Sequence, residues 1–243
     1  MNQQLAFALS LRLVCGGLSP RFHVELRRRL QPLIHHFPPD TWLGLGGKGG
    51  DRIFEAKNND PMLNVYLIRH AESEGNVNHH LIGGQSNHLP LTKRGMEQAK
   101  LLGARLKEEA LEFDAWWTST AIRARHTAEL VSEGMEVGAD LMETPALLEV
   151  SQGKWEGEVR SRIYTDEVKA QFLADPLHFK APDGESIQEV QTRMFTWLEQ
   201  LTKLDTPEKN RKVAAFSHGF AIRCLMVYLM GAEAGAARRA VTD

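Results

Sequence analysis

The sequence predicts an α/β fold, a three-layer sandwich in which helices cover both faces of a mostly parallel central sheet. Three observations predict it. From about residue 63 onward, short apolar runs alternate with longer segments of helical periodicity, the pattern of βαβ units. The runs NVYLI (64–68) and KVAAFSH (212–218) carry nearly continuous apolar stretches, which suits strands buried on both faces. These runs also stop abruptly on polar residues, at Arg69-His70, at Thr118-Ser119 and at Ser217-His218. In open parallel sheets ligands bind beyond the carboxyl ends of the strands.

The elements follow in order. After the strand at 64–68, residues 92–109 (TKRGMEQAKLLGARLKEE) read as an amphipathic helix with Thr92 as its N-cap. FDAWWTS (113–119) reads as a second strand, and Trp116-Trp117 within it as core aromatics rather than a stacking platform for nucleic acid. AIRARHTAELVSEG (121–134) reads as a helix stopped by Gly134. LMETPALLEV is a short strand leading into a loop, and VRSRIYTDEVKAQFLA is one helix. SIQEVQTRMFTWLEQL is another, opened by a capping box of Ser186 and Glu189. The strand at 212–218 and the helix GFAIRCLMVYLMG complete the series.

Residues 1–62 read as an N-terminal extension and linker, a targeting or disordered segment, and 63–243 as the folded domain. The first thirty residues carry Arg12, Arg21, Arg27, Arg28 and Arg29 against the single acid Glu25, the bias of an organelle transit peptide, though with little serine. A cytoplasmic protein is the default expectation, and an organelle the alternative. FPPD, GLGGKGGD and KNND are turn and loop material. Gly44, Gly46 and Gly49 match the dinucleotide spacing G-x-G-x-x-G, but no strand precedes them and no adequate helix follows, so no cofactor is expected.

A formal net charge of -2 gives no reason to expect a nucleic-acid or membrane partner, and no apolar stretch is long enough to span a bilayer. Cys15 and Cys224 lie far apart, with Cys224 in an apolar run, so it reads as a buried free thiol. His35-His36 and His79-His80 read as loop histidines, because no cysteine or carboxylate spacing makes them metal ligands.

If the strands are parallel, Arg69, His70, Arg123 and His218 converge on one rim of the sheet. Arg69 and Arg123 offer paired, permanently charged donors that suit phosphoryl oxygens. His218 adds a donor when protonated, and the helix beginning at Gly219 points free N–H groups at the same anion. His70, within this ring of cations, can attack phosphorus as a neutral imidazole. The leaving oxygen needs a proton, and the loop LLEVSQGKWEG supplies two carboxylates that could give it, Glu149 and Glu156.

These residues resemble the histidine phosphatase superfamily, also called phosphoglycerate mutase-like. The resemblance rests on Arg69-His70-Ala71-Glu72-Ser73 with Asn76, on Leu89-Pro90-Leu91-Thr92-x-x-Gly95-x-x-Gln98-Ala99, and on Ser119-x-x-x-Arg123-Ala124-x-x-Thr127-Ala128. Leu148-Glu149 through Gly153-x-Trp155-Glu156-Gly157, Gly184-Glu185-Ser186 and Ser217-His218-Gly219 follow in the family's order. It implies an α/β sandwich with a helical cap region and no metal. His70 would be the phosphorylated nucleophile and Glu149 the proton donor. Arg69, Arg123 and His218 would form the phosphate pocket, with Ser73, Asn76 and Gly219 beside it. The partner would be a small phosphorylated substrate or a phosphoprotein.

Within the family, the cofactor-dependent mutases carry a hydroxyl residue where this chain has Ile82, and adjacent arginines where it has only Arg160 and Arg162. A phosphatase is therefore the expectation. A phosphoglycerate mutase-type phosphotransferase and a non-catalytic phospho-ligand binder are the alternatives. Ala71 and His88 depart from residues frequent in the family. GAEAGAARRAVTD, after the helix that follows His218, reads as a small-residue tail, so the domain is expected to lack the family's usual last strand and either to lose stability or to expose a sheet edge.

Overall fold

The computed structural model describes residues 8–14, 21–23, 62–203 and 210–231. In chain order the strands and helices are β1 (Ala8–Val14), β2 (Arg21–His23), β3 (Met62–Arg69), α1 (Glu74–Val77), α2 (Lys93–Glu108), β4 (Ala115–Ser119) and α3 (Ile122–Met135). There follow β5 (Leu141–Thr144), α4 (Arg160–Ile163), α5 (Asp166–Ala174), α6 (Ile187–Lys203), β6 (Arg211–Ser217) and α7 (Gly219–Leu229). The sheet runs β2-β1-β3-β6-β4-β5, with β3, β6, β4 and β5 mutually parallel.

Alternation along the strands fills two cores. Val65, Leu67, Val213 and Ala215 face α6 and α7, where Val190, Met194, Leu198 and Leu225 meet them. Ile68, Trp116, Ala214 and Phe216 face the other way, onto Ala99, Leu102 and Leu106 of α2 and Ala128 and Val131 of α3. Both faces of β3 and β6 are therefore covered, which is why their sequences read as continuous apolar runs. Trp116 stacks on Phe216 and Trp117 meets Trp197 edge-on, so both tryptophans are core residues. Cys224 is a buried free thiol.

Three expectations are corrected. The helix expected to stop at Gly134 continues to Met135 and ends on Glu136 in the left-handed region. Gly134 instead lets α3 touch α2: a Cβ there would lie 2.7 Å from the Lys100 carbonyl oxygen, and one on Gly103 would lie 2.4 Å from that of Val131. Gly134→Ala should therefore cost about 1–3 kcal/mol of stability, read as a lower denaturation midpoint at unchanged slope. The segment expected as one helix between Val159 and Ala174 is two, α4 and α5, because Thr165 breaks the first and caps the second by accepting from the Val168 amide. The capping box of Ser186 and Glu189 forms as expected.

The third correction concerns the sheet edge. Two pieces of the segment read as an extension are strands of this sheet. β1 runs antiparallel along β3 from Ala8↔Ile68 to Val14↔Met62, and β2 pairs with β1 outside it. β3 is thus hydrogen-bonded on both sides and is not an edge. Gly44, Gly46, Gly49, Cys15, Arg27, Arg28, Arg29 and His35-His36 lie outside the described residues.

Candidate active site

Strand register brings the expected residues to one rim. Arg69 is paired with Ser217 across β3 and β6, Thr118 with Phe216 across β4 and β6, and the His70 amide donates to the Ser217 carbonyl at 2.9 Å. The two imidazoles of His70 and His218 lie with ring centroids 5.0 Å apart. Both are buried, as is Arg123.

The protonation of His70 follows from its neighbours. Nδ1 lies 2.7 Å from the Ala71 carbonyl oxygen, which can only accept, so Nδ1 carries the proton. Nε2 is then the unprotonated nitrogen, and it accepts from Arg123 Nε at 3.3 Å. Burial, and after it the charges of Arg123 and Arg69, hold the ring's pKa well below the ordinary 6.5. His218 is depressed the same way, by burial first and then by His70, Arg123, Arg193 and Arg69. The expectation that His218 adds a donor when protonated thus meets surroundings that disfavour its charged form.

These depressed values set a stability profile. Both rings stay neutral when folded but take up protons near pH 6.5 when unfolded, so the unfolded state binds more protons below that pH. Stability should be flat above about pH 7 and fall as the pH drops below about 6.5. Thermal melts from pH 8 to 5 read this, and His218→Gln should flatten the acid-side decline.

His218 Nε2 lies 2.9 Å from the Ser119 hydroxyl, while its Nδ1 is buried without a partner. Ser119 Oγ also accepts from the Ala121 amide at 3.3 Å, which leaves its own proton free for His218 Nε2. Arg69 Nε is likewise buried and unpartnered. Gly219 makes room for it, since a Cβ there would stand 3.2 Å from that nitrogen. Arg123, expected as a phosphate donor, is largely engaged with a loop: it donates to the carbonyls of Gly84, Gln85 and Ser86 at 3.4, 2.9 and 3.0 Å.

The two carboxylates left open by the residues alone are placed differently. Glu156 is committed to the same loop, accepting from the amides of Gln85, Ser86 and Gln152 at 2.9, 2.9 and 3.0 Å. Glu149 lies at the start of α7, accepting from the amides of Phe220 and Ala221 at 3.1 and 2.9 Å and from Val150 at 3.0 Å. This corrects the expectation that the first turn of α7 offers its N–H groups to an anion: the Glu149 carboxyl group already takes two of them. Ser73 and Asn76, expected as phosphate contacts, are bonded to each other, with the Ser73 amide and hydroxyl both donating to Asn76 Oδ1 at 3.0 and 3.1 Å.

Thr127 is a residue that sequence reasoning did not single out for its own role. Its hydroxyl donates to the Arg123 carbonyl at 2.6 Å and accepts from the Ala71 amide at 3.1 Å, tying α3 to the turn after His70. The signal was present in the spacing from Arg123 to Thr127, one helical turn. Among the described residues no group of three or more His, Cys, Asp or Glu side chains is placed to hold a metal, and no helix is long and apolar enough to cross a membrane.

The chain is similar to known proteins over about seven-tenths of its length. A protein of Cronobacter sakazakii named probable phosphoglycerate mutase GpmB is 36% identical over 180 residues, spanning 73% of this chain and 80% of its own. The crystal structure of an alpha-ribazole phosphatase from Shigella flexneri superposes with a TM-score of 0.61 at 27% identity, over 72% of this chain and 83% of that one. A phosphoglycerate mutase from Bacillus anthracis, 22% identical with a TM-score of 0.59 over 70% of this chain and 81% of its own, shares the fold. The model of the histidine phosphatase superfamily (branch 1) matches residues 65–243, and the chain belongs to that superfamily.

Proposed function

We propose that the protein is a phosphomonoester hydrolase acting through a phosphohistidine on His70, with its own side chains carrying the positive charge the reaction needs. One observation carries this reading: an unprotonated His70 Nε2 stands beside Arg123 while Arg69 Nε and His218 Nδ1 wait nearby without partners. The Nε2 lone pair attacks phosphorus, the bond from phosphorus to the ester oxygen breaks, and Glu149, entering the step as the carboxylic acid, gives that oxygen its proton. The Nδ1–H bond to the Ala71 carbonyl holds the ring in the attacking tautomer and stabilises the positive charge it acquires. Water then attacks phosphorus, Glu149 takes its proton, and the nitrogen–phosphorus bond breaks to release phosphate. Arg69 and the Nδ1–H of His218, with Ser119 donating to Nε2, stabilise the equatorial oxygens.

Two features favour hydrolysis over mutase chemistry. Ile82, where the family resemblance puts a hydroxyl residue in cofactor-dependent mutases, is apolar and fully buried. Arg160 is spent locally, donating to the His79 carbonyl at 3.4 Å and lying over the Tyr164 ring at 5.4 Å. The name carried by relatives at 33–36% identity keeps the mutase reading second. Phosphate release from sugar phosphates, nucleotides and phosphopeptides, measured beside interconversion of 3- and 2-phosphoglycerate, separates the two. Hydrolysis without interconversion is expected, and efficient interconversion with negligible phosphate release would overturn the reading.

A further inference from the structure

Glu149 sits on a loop between two short 3-10 turns, Pro145–Leu147 and Gly153–Trp155. A proton donor on such a segment delivers its proton usefully only if the backbone beneath it is held to within a fraction of an ångström. The restraint comes from an ion pair elsewhere in the chain. Arg193 projects from the second turn of α6, and its Nε donates to Glu185 Oε1 at 2.8 Å while Nη2 donates to Glu185 Oε2 at 3.1 Å. The same guanidinium reaches the loop: Nη1 donates to the Ala146 carbonyl at 2.8 Å and Nη2 to the Glu149 carbonyl at 3.0 Å.

Glu185 completes the grip from its own side. Its Oε2 accepts from the Ser151 amide at 2.9 Å, and its backbone amide donates to the Ser151 carbonyl at 2.9 Å. The segment from Ala146 to Ser151 is thus held at its start, at Glu149 itself and at its end by one pair of side chains. That pair is largely shielded, with side chains 19% and 23% exposed, so its fork geometry is screened less than a surface bridge. The Glu149 side chain meanwhile rests on the Phe220 and Ala221 amides.

Resting on the hydrolase reading above, we infer that the Glu185–Arg193 pair positions Glu149 for proton transfer to the leaving oxygen. Neither residue touches the reacting atoms. Their contribution is to hold the Glu149 main chain still, so that only the side chain moves between the α7 amides and the substrate.

A positioning role for the proton donor has a signature that loss of folding does not. 2,4-Dinitrophenyl phosphate expels a phenolate that leaves without a proton at neutral pH, whereas phenyl phosphate needs one. kcat/KM on both substrates is measured for wild type, Glu149→Gln, Arg193→Met and Glu185→Gln, with thermal melts of each. Arg193→Met and Glu185→Gln should lose on the order of 10–100-fold on phenyl phosphate and less than about threefold on the dinitrophenyl ester, a milder copy of Glu149→Gln. Glu185→Gln keeps the side-chain shape, so it serves where Arg193→Met does not fold. Equal losses on both substrates, or no loss on either, would overturn the positioning role while wild-type turnover leaves the hydrolase reading standing. A wild type that hydrolyses neither ester would overturn both.

Discussion

Replacing His70 by alanine is expected to lower hydrolysis of p-nitrophenyl phosphate by on the order of 10⁴-fold or more, because the nucleophile and its covalent intermediate disappear together. The remaining cations still bind phosphate, so KM should move much less than kcat. Alanine also leaves the Ala71 carbonyl without the 2.7 Å bond it receives from Nδ1, which costs about 1–3 kcal/mol if the group stays buried. His70→Asn guards against that effect, since its amide can supply a donor near Nδ1 but offers no nucleophilic nitrogen. Wild-type protein quenched during turnover should carry acid-labile, base-stable phosphate, and both variants should carry none. Turnover by either variant at the wild-type rate would exclude His70 as nucleophile, and Glu149→Gln, which slows breakdown of the intermediate, should increase the trapped phosphate.

That the proposed nucleophile stands out in the sequence has a physical reason. A strand buried on both faces must be apolar throughout, so Arg69 and His70 at the end of the run ending in Leu67 and Ile68 stand out against it. Ser119 and His218 are visible in the same way, as polar ends of apolar strands. What the sequence hides is how the groups are used. Arg123 reads as a phosphate donor because guanidinium suits phosphate, but here it also binds carbonyls of Gly84, Gln85 and Ser86, residues 37–39 positions away. Glu156 is bound to amides about 70 residues away, and no periodicity records such a contact. His218 reads from sequence as a donor when protonated, but burial and then His70, Arg123, Arg193 and Arg69 all push its pKa down. Gly134 was read as a stop because glycine often follows a helix, whereas here it is the contact point of two helices.

Removing residues 1–23 should destabilise the domain by several kcal/mol, a large share of the 5–15 kcal/mol that separates a typical domain from its unfolded state. β1 is paired with β3 at seven positions, from Ala8↔Ile68 to Val14↔Met62, and each inter-strand hydrogen bond lost contributes about 0.5–1.5 kcal/mol net. This stretch reads from sequence as part of a targeting or disordered extension, yet Arg12 is in register with Asn64 in β3 and with His23 in β2. Deletion would turn β3, the strand that ends in Arg69, into an open edge available to another chain. The truncated protein should melt on the order of 10 °C or more below the full chain and aggregate on heating. A truncated protein melting at the full-chain temperature would show that the sheet does not depend on β1. Since Arg69 is fixed by β3 and by its register with Ser217 on β6, rather than by β1, any truncated protein that stays folded should retain most of its kcat at temperatures well below its melt. The deletion therefore separates what holds the sheet together from what performs the chemistry at its rim.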